Sequence, residues 1–331
     1  MENVFKRTLL GAAVALAATG ANAAIQLAGE NVELYGVAAG YNMTTSYAAD
    51  GADTTNHSLI ETKFGFKGRH QYDDFGPDII WQVETGYASH QDHSWGAFNG
   101  LVGGRDTWVG LDWTNVGSLK VGRQLVAAYN YVDWPHSNPG LGNVFDWNND
   151  IGAPFQDRAD NVVRFDSANF GGFNFQASAS GMEASTDEMV LSLAGSFQLG
   201  PVNLHAGHYS RDEAADGSFE DHSYTIVGAS AGLGKLTLTG AVKAMEHGSQ
   251  EQNAYSATAQ LLLTDKLLVK AGYALTEEVD SNDDGDVAMT VRLGYLLPSA
   301  YLYADVRDYD FNGDDESADQ TRLLLGMEYY F

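Results

Sequence analysis

Two-residue alternation recurs along this chain in segments of roughly ten residues, and no other feature limits the fold as tightly. In TRLLLGMEYYF (321–331), one face carries Leu323, Leu325, Met327, Tyr329 and Phe331. The other carries Arg322, Leu324, Gly326, Glu328 and Tyr330. GGFNFQASAS sets Phe173, Phe175, Ala177 and Ala179 against Asn174, Gln176, Ser178 and Ser180. Successive strand side chains point to opposite faces, so each such segment is predicted to be a strand with one apolar and one polar side.

The connections fall into two classes that take turns. Short ones, such as TNVG (114–117), LGPV (199–202), GLGK (232–235) and LPSA (297–300), have hairpin-turn chemistry. Long ones are acidic or polar, near 44–58, 91–103, 126–157, 181–187, 212–221, 247–253, 277–285 and 311–319. They leave sixteen strands, read as 32–43, 59–71, 78–89, 104–113, 117–125, 158–167, 172–180, 188–199, 202–211, 222–232, 235–246, 254–263, 266–276, 286–297, 300–310 and 320–331. The facing of 104–113 stays open.

An even strand number with turns at one end and long loops at the other is the pattern of an outer-membrane barrel. The predicted fold class is therefore all-β, a 16-stranded antiparallel transmembrane barrel. The apolar faces meet lipid and the polar faces a watery lumen. A soluble sandwich also alternates, but its core has no room for faces bearing Lys63, Lys67, Glu84, Arg158, Arg164, Arg292 and Arg307.

The first 23 residues read as a secretory signal. Lys6 and Arg7 precede an apolar core at 8–20, and Ala21-Asn22-Ala23 places cleavage after Ala23. The barrel domain is then 24–331. Removing Glu2, Lys6 and Arg7 from 18 basic and 44 acidic residues leaves 16 and 43, a formal −27. Nucleic acid is excluded as a partner by that balance. Cation passage or acidic surface loops fit it. The chain has no cysteine, and neither a G-x-S-x-G elbow nor H-E-x-x-H occurs, so no enzyme activity, catalytic residue, metal or cofactor is expected. The pairs His90/His93 and His205/His208 are spaced to point to opposite strand faces. The acidic stretches 280–285 and 308–319 imitate calcium loops but lie between strands, and they read as solvated surface.

With these features in place, the chain resembles the general diffusion porins of the Gram-negative outer membrane. The stretches that carry the likeness are VELYG (32–36), KFGFKG (63–68), GSLKVGRQ (117–124), DRADNVVRFDSANFGGF (157–173) and the strand ending at Phe331. The resemblance implies a homotrimer in the outer membrane, in contact with lipid and lipopolysaccharide, that passes small hydrophilic solutes and ions. It implies that Phe331 is read by the outer-membrane assembly machinery. It also implies that the third long loop folds into the pore opposite a basic wall, mapped here to Lys63, Arg105 and Arg158, with Arg123 at a matching position whose direction is open.

That loop, 126–157, has no Lys or Arg; Asp133, His136, Asp146 and Asp150 are its candidate constriction residues. The usual Pro-Glu-Phe-Gly-Gly type stretch is missing from it. Its Tyr129, Tyr131, Trp134, Phe145 and Trp147 could instead line a path for sugars, which makes a substrate-specific channel one alternative. A barrel that mainly anchors acidic adhesion or receptor loops is the other.

Overall fold

The computed structural model describes residues 24–86, 102–147, 150–182, 188–214, 216–279, 285–311 and 316–331. The signal segment through Ala23, the His90/His93 pair, and most of the 280–285 and 308–319 mimics' loop tips lie outside the described residues.

The strands are β1 Ile25–Gln26, β2 Glu33–Tyr47, β3 Thr55–Ile60, β4 Lys63–His70, β5 Asp78–Thr85, β6 Val102–Trp113, β7 Gly117–Leu125, β8 Arg158–Ser167 and β9 Phe173–Ser180. They continue as β10 Val190–Leu199, β11 Val202–Arg211, β12 His222–Leu233, β13 Leu236–His247, β14 Gln250–Leu262, β15 Leu267–Thr276, β16 Val287–Leu297, β17 Ala300–Asp310 and β18 Gln320–Tyr330. β1 is a two-residue piece beside the start of β2, with Ile25 opposite Leu34. β3 and β4 both pair with β2 and are two halves of one stave. Among the described residues this makes a sixteen-stave antiparallel wall.

The wall closes where β18 meets β2, from Gln320 opposite Tyr47 to Tyr330 opposite Val37. Phe331 extends the seam through two backbone hydrogen bonds with Gly36, at 2.8 and 3.1 Å. Its ring lies over Gly36, where an added Cβ would sit 2.7 Å from Cζ.

The faces follow the alternation. On β18, Leu323, Leu325, Met327 and Tyr329 are 49–59% exposed on the outside of the isolated barrel, while Leu324, pointing in, is 1% exposed. Lipid covers the outer row in a membrane.

Two loops depart from the sequence reading, and one open facing finds its cause. The predicted loop 247–253 is a two-residue turn, with His247 opposite Gln250 and Gly248 at φ +55°. A positive φ at the first turn position suits a tight hairpin, and the polar Glu251 to Asn253 run belongs to the strand. The predicted loop 44–58 shrinks likewise, because β2 runs to Tyr47 and β3 begins at Thr55. The open facing of 104–113 comes from a bulge: Val83 pairs with Thr107 but Thr85 with Val102. The extra β6 residues include Arg105 and Asp106, and a bulge can re-aim neighbouring side chains.

Candidate functional site: the pore constriction

The loop 126–157 leaves β7 and returns at β8, and between them it packs onto the inside of the far wall. It contains two single-turn helices, α1 Tyr129–Val132 and α2 Gly142–Phe145. Val132, Leu141, Val144 and Phe145 are buried with Tyr209, Tyr224, Ile226, Met245 and Tyr309 of the wall. Burying each such side chain contributes about 1.5–3 kcal/mol. Glycines on the inner face admit the loop. At Gly207 an added Cβ would stand 2.9 Å from Ala128 Cβ, and at Gly272 it would stand 2.8 Å from Leu141 Cδ1.

Hydrogen bonds spaced along the loop fix it. The amides of Ala127 and Ala128 donate to Ser178 Oγ and Ser192 Oγ, both at 2.9 Å. Ser256 Oγ donates to the His136 carbonyl at 2.7 Å and Tyr309 OH to the Gly140 carbonyl at 2.9 Å. Lys243 Nζ donates to the Asp146 carbonyl at 3.0 Å. His247 Nδ1 stands 2.7 Å from the Ile151 carbonyl, so it carries the proton there.

Of the four candidate loop residues, three are held against the wall. Asp146 is buried, and its carboxylate accepts from Tyr129 OH at 2.8 Å. Burial pushes its pKa well above the carboxylate range, the charge of Asp157 adds to the rise, and Lys243 opposes it. Asp150 is bound at both ends by Gln252: its amide donates to Oε1 at 3.0 Å and its carboxylate accepts from Nε2 at 2.6 Å. His136 is fully buried against His205.

Asp133 is placed differently. Burial raises its pKa, and the positive charges of Lys63, Arg105 and Arg158 pull it back. Arg105 and Arg158 act on Lys63 as well. The structure therefore gathers Asp133, Lys63, Arg105 and Arg158 into one electrostatic group spanning the loop and the wall. Arg105 Nε contacts Glu84 Oε1 at 2.6 Å and Arg158 Nε contacts Asp106 Oδ1 at 2.6 Å. Tyr35 OH donates to the other Glu84 oxygen at 2.9 Å.

Arg123 has contacts of its own. It pairs with Thr107 on the face of Leu119 and Val121, donates to the Gly104 carbonyl at 2.9 Å, and bridges Asp160 at 3.1 Å. A second register break, between Gly122 and Gln124, occurs here.

The loop aromatics separate into two sets. Tyr129 and Phe145 are buried, and Tyr131 stacks on His205 at 4.8 Å, whereas Trp134 and Trp147 are 38% and 50% exposed. Sequence reasoning missed the wall anchors Lys243, Gln252, Ser256 and His205. The inward parity of Lys243, Ser256 and His205 was readable, but nothing in the pattern said which inward residues meet the loop; Gln252 fell in the stretch read as a loop.

A family model for the Gram-negative porins matches residues 11–315. The chain belongs to the Gram-negative porin family. The porin is thus an outer-membrane channel protein, and the closed barrel agrees with its solved neighbours. The anion-selective porin of Comamonas acidovorans aligns with TM-score 0.69 at 19% identity, over 91% of this chain and 99% of that one. Salmonella typhi OmpF aligns with TM-score 0.72 at 15% identity, over 91% and 98%. A trimer form of OmpT from Vibrio cholerae aligns with TM-score 0.65 at 16% identity, over 91% and 99%. At these identities the likeness is one of fold. Among curated proteins, a chitoporin of Vibrio furnissii is 42% identical over 190 residues, which span 54% of the porin and about half, 49%, of that relative.

Proposed function

We propose that the porin is a passive, water-filled channel for small hydrophilic solutes and ions, with a preference for cations. The observation that carries the preference is the pairing at the constriction. Arg105 and Arg158 are neutralised by Glu84 and Asp106, so the wall opposes cations less than its basic residues suggest, while Asp133 supplies a carboxylate from the loop. The formal −26 of the whole chain adds a field that concentrates cations at the mouth. The test is the zero-current potential across a salt gradient for the native channel and Asp133→Asn. Loss of one unit charge near the path should lower the cation-to-anion permeability ratio roughly two- to tenfold. An unchanged ratio would remove Asp133 from the selectivity site.

A second reading is favoured by the exposure of Trp134 and Trp147 together with the chitoporin relative: passage of chitin fragments, with sugar rings stacking on the two indoles. Transient blockade of the current by chitin oligosaccharides, weakened in Trp134→Ala, would support it. Equal indifference to chitin and to malto-oligosaccharides would leave the general channel.

The same proposal includes a homotrimer. On the outer face of β2 and β3, Asn42 Nδ2 donates to Asn56 Oδ1 at 2.8 Å and Asn56 Nδ2 to Thr44 Oγ1 at 2.7 Å. Asn42 and Thr44 stand directly opposite Leu325 and Leu323, which carry the lipid-facing row. A polar patch at that level is costly against hydrocarbon and better covered by another copy of the chain. Cleavage after Ala23, recognition of Phe331 by the assembly machinery and contact of the acidic outer loops with lipopolysaccharide complete the proposal.

A further inference from the structure

Beneath the constriction loop, His136 Nε2 and His205 Nε2 face each other at 2.7 Å, and both residues are buried. Two imidazole nitrogens can approach so closely only with a proton between them. One ring must therefore donate from Nε2 and the other accept there, carrying its own proton on Nδ1. Neither Nδ1 has a hydrogen-bond partner among the described residues. Among the described residues the Nε2–Nε2 bond is thus the one hydrogen bond of both rings, and losing it would leave a second buried polar atom unsatisfied on each.

The surroundings are shaped to the pair. Tyr131 stacks on the outer imidazole at 4.8 Å with planes 12° apart, and Phe145 meets His136 edge-on at 6.1 Å. At Gly228 of β12 an added Cβ would stand 2.6 Å from His205 Nε2 and 2.7 Å from His136 Nε2. No larger residue fits there while the rings touch.

The chain then leads straight to the constriction. Ser256 Oγ holds the His136 carbonyl, Ser137 Oγ donates to the Val132 carbonyl at 2.7 Å, and the Ser137 amide donates to the Asp133 carbonyl at 3.1 Å. The turn that contains Asp133 is therefore tied to β11 and β14 through His136.

We propose that the His136–His205 bond is a latch that positions Asp133, and with it the narrow part of the pore. The inference rests on the channel reading above. His136 and His205 are positioning residues; neither need touch a permeating solute. Burial, the facing imidazole and the charge of Lys270 on β15 push the His136 pKa down to about 3. The latch accordingly stays neutral and closed across the ordinary pH range, which separates it from a histidine switch that opens near pH 6.

The experiment compares single-channel records of the native porin with His205→Leu and His205→Gln, each checked for an intact barrel by its heat-modifiable gel shift. Leucine removes the partner, whereas glutamine can still donate or accept. In His205→Leu the docked-to-undocked ratio of the loop should fall roughly tenfold, the change expected for one buried hydrogen bond. It would appear as greater open-channel noise, a lower voltage for closure and a reversal potential moved toward zero. His205→Gln should restore all three toward native, and native noise should not change between pH 8 and pH 5. Native-like noise and reversal potential in a folded His205→Leu channel would overturn the latch and leave the channel reading intact. Folded native protein that conducts no ions would instead overturn the channel reading beneath it.

Discussion

At the scale of single residues, the porin uses ionisable groups in two ways. Some feel charges across the loop–wall boundary, as Asp133 does from Lys63, Arg105 and Arg158. Others are buried to hold the loop, and burial sets their titration. Burial pushes the Asp157 carboxyl up to about 6, with the charge of Asp133 adding to the rise and Lys243 and Arg158 opposing it. A raised carboxyl pKa means that the folded state binds the proton more tightly than the unfolded chain does. The docked loop therefore gains stability as pH falls from about 7 toward the unfolded value near 4. Thermal melts of the purified porin should show a higher transition at pH 5 than at pH 7.5, and Asp157→Asn should remove most of that difference. A melt that falls with acid over this window, or an unchanged slope in the variant, would contradict the assignment. Asp133 could be suspected from the sequence because it stood in a loop without Lys or Arg. Asp146, in the same loop, could not be told from it, because the two differ only in contacts: the carbonyl and carboxylate of Asp146 are taken by Lys243 and Tyr129.

At the scale of elements, the wall was legible because alternation reports the environment on each side of a strand directly. The turn at Gly248-Ser249 was not, since polar residues on a strand that rises above the membrane read like a loop. Nor were the bulges at Val83/Thr85 and Gly122/Gln124, each of which breaks the parity on which the reading relies. Arg123, next to the second break, is held by Asp160 and the Gly104 carbonyl. The loop's docking surface was hidden for another cause. Gly207, Gly228 and Gly272 look like any strand glycines until the approach of Ala128, His136 and Leu141 is seen. Gly207→Val should overpack this contact by about 1–3 kcal/mol. The expected result is a folded barrel whose constriction loop is cut sooner by protease. Unaltered proteolysis would place the loop's hold elsewhere. The closure seam makes a similar demand at Gly36, over which Phe331 lies.

For the whole molecule, the distribution of charge matters more than any one pair. Basic side chains on the inner wall are matched repeatedly by carboxylates: Lys120 and Arg164 by Asp166, Arg292 and Arg307 by Asp305, Arg105 by Glu84. On the proposed reading, pairing inside and acid in the outer loops would together favour cations without requiring a strongly charged lumen. The outer polar patch around Asn42 and Asn56 belongs to this scale too. Replacing both by leucine should make the patch compatible with lipid and reduce the trimer fraction on mild-detergent gels; an undiminished trimer would move the interface to another face. The measurement that tests the account most directly is the conductance and zero-current potential of the purified porin in a planar bilayer under a salt gradient. The account predicts ohmic steps in groups of three with a potential set by cation passage. A potential set by anions, or no conductance from a correctly folded barrel, would contradict it.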